Sequence, residues 1–187
     1  MIRLPRLFLA MLTMSLLVAW ASPGWTAEKP TKGTLQSVSA DQHQLVVSGK
    51  LGKNYTHQVM EDAPIFIADQ PNAKLSDLKT GAELSLLWEK KGDQYQTSAI
   101  LVRLGDFKNA DIAAGTIKSV SDNQFTVTDP NGKEWTYHMA DKATLRISNK
   151  TGKLADFKAN DRVAIVWQKE AGQYMVKAMA NEPGQAR

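Results

Sequence analysis

The sequence has no cysteine. That excludes a disulfide framework, a thiolate metal site and a thiol nucleophile. Histidine occurs three times, as His43, His57 and His138, and long helical periodicity is absent. Beyond the first 20 or so residues no apolar run approaches the roughly 20 residues that span a bilayer. Also missing are the G-x-S-x-G, H-E-x-x-H and phosphate-cradling glycine patterns of common catalytic sites. The carboxylates are dispersed, so the sequence reads as that of a protein that is not an enzyme and needs no cofactor.

What is present begins with an export signal. Arg3 and Arg6 precede an apolar run from Leu7 to Val18, and Ala19-Trp20-Ala21 forms a small-residue cleavage motif. Cleavage after Ala27 is the alternative, but it sets Trp25 where a small side chain is wanted, so the cut is expected after Ala21. The mature chain is then expected in the periplasm or outside the cell, with no membrane span. Losing Arg3 and Arg6 lowers the formal charge from +4 to +2. The remaining charges are interspersed, with no basic block to follow a phosphate backbone, which argues against nucleic acid as a partner.

The mature part repeats itself. Gly33-Thr34-Leu35-Gln36-Ser37-Val38-Ser39 returns as Gly115-Thr116-Ile117-Lys118-Ser119-Val120-Ser121. Gly52-Lys53 returns as Gly132-Lys133, and Lys74-Leu75-Ser76-Asp77-Leu78-Lys79 as Lys153-Leu154-Ala155-Asp156-Phe157-Lys158. Trp88 and Tyr95 match Trp167 and Tyr174. The offset drifts from 82 to 80 to 79 residues, and each drift falls among turn residues, where length changes are tolerated. The expected organisation is a signal peptide over 1–21, a leader over 22–31, repeat 1 over 32–104, a linker over 105–113, repeat 2 over 114–182 and a tail over 183–187.

Short β-branched runs bounded by turns predict strands at 33–38, 44–48, 54–60, 64–68, 83–90 and 95–102, with counterparts in the second copy. Asp129-Pro130-Asn131-Gly132 is a clear hairpin turn. Five or six such strands with one helical turn predict an all-β fold of two tandem small barrels, OB-like or SH3-like. A single sandwich across both copies is the competing arrangement. One copy of about 70 residues is marginal as a free-standing core, which gives the two a reason to pack on each other without deciding that they do.

The pattern G-T-[LI]-x-S-V-S, a G-K hairpin, and L-x-D-[LF]-K before a strand ending in Trp resembles a family of exported bacterial domains of unknown function. That family is built as small OB-like β-barrels often found in tandem. The resemblance implies the fold and export. It transfers no catalytic residue.

Two binding chemistries remain. Trp88, Trp167, Tyr95 and Tyr174 at equivalent strand ends are candidates for stacking on a glycan or an envelope protein, against a plainer role as core filling. The alternative is a copper-binding, chaperone-like protein using His138, Met139 and Trp135, since soft thioethers suit Cu(I). Strand alternation sets His138 and Met139 on opposite faces, which weakens that alternative. The expected function is therefore a non-enzymatic periplasmic binding or scaffold protein of the cell envelope.

Overall fold

The computed structural model describes residues 30–184, so the signal peptide and most of the leader and tail lie outside the described residues. The first copy contributes β1 (Thr31–Ser39), β2 (Gln44–Ser48), β3 (Asn54–Val59), β4 (Ile65–Phe66), β5 (Glu83–Lys91) and β6 (Gln94–Val102). The second contributes β7 (Asp111–Val120), β8 (Gln124–Thr128), β9 (Glu134–Ile147), β10 (Lys150–Thr151), β11 (Arg162–Glu170) and β12 (Gln173–Asn181). β7 starts inside the stretch 105–113 expected as linker, and Asp111 to Ala113 pair with β11.

In each copy three strands form an antiparallel meander, the third runs parallel to the last, and the last two close back on the first. The circuits are β1–β2–β3–β6–β5 and β7–β8–β9–β12–β11. Both are closed five-stranded OB-like barrels, an arrangement that leaves no long sheet edge unpaired. The sheets close separately, so the single sandwich does not form.

Closure needs the first strand to serve two neighbours. Thr31 to Thr34 pair with β5 and Thr34 to Ser39 with β2. β7 divides in the same way between β11 and β8. The repeated Gly33 and Gly115 sit at these bends. A Cβ on Gly33 would lie 2.7 Å from the Ser48 carbonyl oxygen, and one on Gly115 would lie 2.8 Å from that of Thr128. The glycine of the repeat is therefore a close-approach residue.

The predicted helical turns are short 3₁₀ segments, Leu75–Asp77 and Leu154–Asp156. Asp77 and Asp156 accept hydrogen bonds from the backbone N–H of Lys74 and Lys153, each at 2.7 Å. Leu78 and Phe157 follow and are buried in the two barrel cores. Gly81 and Asn160 adopt the left-handed conformation at φ 86° and 73° and donate to the carbonyls of Leu35 and Ile117.

A third apolar cluster joins the barrels. Leu87, Ala99 and Leu101 of the first meet Ala164, Val166, Ala178 and Ala180 of the second, with Phe107 and Ile112 from the connection. β5, β6, β11 and β12 are thus buried on both faces, which explains their near-continuous apolar sequence.

Candidate ligand-binding site

The aromatic residues gather where each barrel opens away from its 3₁₀ plug. In the first barrel alternation along β3 turns Tyr55 and His57 inward, and β5 turns Trp88 the same way. β6 requires one more device. Leu87 pairs with Ala99 and Trp88 with Thr97, so Ser98 is an extra, bulged residue. A bulge shifts which residues face inward. Ile100 and Val102 fill the core on one side of Ser98, and Tyr95 and Thr97 face the same interior on the other. Without the bulge Tyr95 would point away from Trp88.

The resulting rings are mutually fixed. Trp88 and Tyr95 meet edge-to-face at 5.1 Å between centroids, His57 lies 5.9 Å from Trp88 and 5.4 Å from Tyr95, and Tyr55 lies 5.8 Å from Tyr95. The Trp88 indole N–H donates to Thr31 Oγ1 at 2.9 Å, and His57 Nδ1 lies 3.1 Å from Thr97 Oγ1. Burial pushes the His57 pKa down to about 4, so the ring is neutral at pH 7. These rings, with Thr31, Lys32 and Val47, line a pocket of about 590 Å³.

The second mouth keeps the plan and changes the contents. Trp167 and Tyr174 meet at 5.1 Å, and Trp135 lies 5.4 Å from Tyr174. Tyr137 stands at the position of His57; its ring stacks on Phe125 at 5.6 Å and contacts Trp167 and Tyr174. Burial raises the Tyr137 phenol above its ordinary pKa, so it stays neutral. The Trp135 indole N–H is held by Asp129 Oδ2 at 3.0 Å, and Lys133 Nζ sits 3.7 Å from the ring centroid. The counterpart of Thr31 is Ala113, which has no side-chain acceptor, and the buried Trp167 indole N–H has no partner among the described residues.

The structure therefore brings Trp88 to Tyr95 and Trp167 to Tyr174, but in two separate mouths. All four are half-buried, intermediate between core filling and an open platform. Tyr55 and His57 join the first site. Their inward alternation on β3 was legible, but that they meet β5 and β6 depends on the parallel β3–β6 pairing.

The three candidate metal ligands do not converge. Met139 packs against the second core, while His138, one residue earlier on the same strand, belongs to the opposite face. Trp135 contacts Tyr174. Among the described residues no group of three or more His, Asp or Glu is placed to hold a metal ion.

No protein-family model and no curated protein matches the chain. Solved structures similar to parts of it are small barrels. Silver(I)-bound CusF is 10% identical, with 37% of this chain and 93% of that one covered and a TM-score of 0.30. Apo-CusF from Escherichia coli is 11% identical, with 37% and 83% covered and a TM-score of 0.29. A copper(II)-bound tryptophan-to-alanine variant of CusF from Escherichia coli is 12% identical, with 41% and 95% covered and a TM-score of 0.30. No helix among the described residues is long and apolar enough to cross a membrane.

Proposed function

We propose that this chain is a non-enzymatic periplasmic binding module of the cell envelope, and that its site is the mouth of the first barrel. The observation that carries this reading is the set of four rings, Tyr55, His57, Trp88 and Tyr95, around a pocket of about 590 Å³. A pocket of this size lined by rings and few polar groups suits a small ligand with flat apolar faces.

Two of the polar groups at the wall already have partners within the barrel. Thr31 accepts from Trp88, Thr97 partners His57, and His57 is neutral. What remains for a ligand is ring face, with ammonium groups nearby. Lys53 Nζ lies 5.4 Å from the Tyr55 centroid and Lys90 Nζ 5.9 Å from that of Tyr95. Those cations disfavour a positively charged ligand by like-charge repulsion. A neutral or acidic sugar ring, with C–H faces to stack and hydroxyls left to water, fits best.

The test is titration of the mature protein with soluble N-acetylhexosamine oligomers, followed by tryptophan fluorescence. Trp88→Ala is expected to weaken binding by at least about tenfold, the loss of one good aromatic contact, while Trp167→Ala leaves it unchanged. A Trp88→Ala protein that binds as wild type sinks the reading. The copper alternative needs Met139 to leave the second core. Cu(I) binding abolished by both His138→Ala and Met139→Ala would replace the glycan reading.

A further inference from the structure

Arg146 is a buried charged residue at the seam whose chemistry the barrel fold does not require. The pairings Leu101 with Phe66 and Ala180 with Arg146 give the two residues equivalent places in the two barrels. Phe66 belongs to the apolar cluster between them. Arg146 instead carries a guanidinium there, with only 5% of the residue exposed. Its Nη1 donates to the Ile65 carbonyl at 3.3 Å and its Nη2 to Asn149 Oδ1 at 2.8 Å. Nε is buried with no partner, and no carboxylate among the described residues forms an ion pair with the group.

A buried cation without a counter-ion is expensive, and a guanidinium presents five donors in a planar fork that matches a carboxylate. Arg146 lines a pocket of about 300 Å³ at the plugged end of the first barrel, opposite the aromatic mouth. Val59, Ile65, Ala73 and Leu75 supply an apolar wall. Asp62 is the only acid in the lining, and its Oδ1 accepts from Asn149 Nδ2 at 3.0 Å.

We propose that this seam pocket is a second ligand site, taking an organic carboxylate with a short apolar body. The carboxylate pairs with Arg146 and the body lies on the wall from the first barrel, so the ligand touches both barrels. A doubly charged inorganic oxyanion fits less well. It leaves the apolar wall unused, and of the two cationic side chains in the lining only Arg146 is buried, Lys74 being exposed to water and Asp62 lying nearby.

The probe is octanoate, added to the mature protein while the arginine Nε–H resonances are followed by NMR and the heat of binding by calorimetry. Inorganic phosphate is the comparator. Octanoate is expected to shift the Arg146 Nε–H signal, and Arg146→Met to weaken binding roughly ten- to hundredfold, the usual effect of losing a charge-assisted hydrogen bond. Ala73→Leu leaves Arg146 in place and fills the pocket, so it too should weaken octanoate and keeps the test open if Arg146→Met misfolds. An unmoved Nε–H signal, phosphate binding as tight as octanoate, or Ala73→Leu or folded Arg146→Met binding octanoate as wild type does would overturn the proposal.

Discussion

Single residues set both the shape of the barrels and their response to pH. Gly33 is required where β1 bends between two neighbours, because a Cβ there would meet the Ser48 carbonyl. Gly33→Ala is expected to lower stability by about 1–3 kcal/mol, the range for inserting a methyl into a packed site, as read from the urea midpoint. His57 acts in the opposite direction from Glu182. Its pKa falls from 6.5 to about 4 on folding, so between those values the unfolded chain binds more protons. Stability from this group is complete above pH 6.5 and is lost as pH falls toward 4. Glu182 is raised from 4.5 to about 7, mainly by burial and despite Arg162 at 3.2 Å. The folded chain therefore holds the extra proton, and stability from Glu182 is lost as pH rises from 4.5 through 7. The two slopes oppose each other over the shared window. Unfolding measured across pH 4 to 8 should show His57→Gln falling less steeply than wild type on acidification, and Glu182→Gln losing less on the alkaline side.

At the scale of strands, alternation and turn residues were enough to place most elements. The predicted 44–48 strand is β2, and the Asp129 turn closes with its carboxylate accepting the N–H groups of Asn131 and Lys133 at 2.9 Å. The bulges were not legible, because an extra residue in a strand changes no local propensity and is defined only by the partner strand. Their consequence is the arrangement of the mouths: the extra residue at Ser98 turns Tyr95 toward Trp88, and its counterpart Lys177 does the same for Tyr174 and Trp167. Trp88 with Tyr95 and Trp167 with Tyr174 could thus be named from the repeat, but the reason each pair meets lies in the bulges. Deleting Ser98 forces a choice between facing Tyr95 and Thr97 inward and facing Ile100 and Val102 inward. Either outcome removes buried side chains, so a loss above about 3 kcal/mol is expected. A deletion variant with an unchanged thermal midpoint would mean that the bulge does not set the register.

At the scale of the molecule, the duplication has produced two barrels with separate cores, joined by a third apolar cluster. The small size of one copy gave a reason for contact, and the apolar runs in β5 and β11 are its trace in the sequence, but which faces meet is set by how the barrels close. Among the larger side chains of the seam stand Ala99 on one side and Ala164, Ala178 and Ala180 on the other, and these small residues let the two sheets approach. Arg146 opposite Phe66 in the internal symmetry shows that the copies have diverged at this contact rather than only at their mouths. Because each barrel alone would expose that apolar face, folding should couple them. Calorimetry of the mature protein is expected to show one cooperative transition, with the calorimetric and van't Hoff enthalpies equal. Ala164→Leu, which overfills the seam without entering either barrel core, should lower the midpoint of that single transition by an amount corresponding to about 1–3 kcal/mol. Separation into two transitions in the wild-type protein would show instead that the seam is too weak to join the barrels. If the seam joins them, a ligand seated against Arg146 and the first barrel's wall acts on both halves at once.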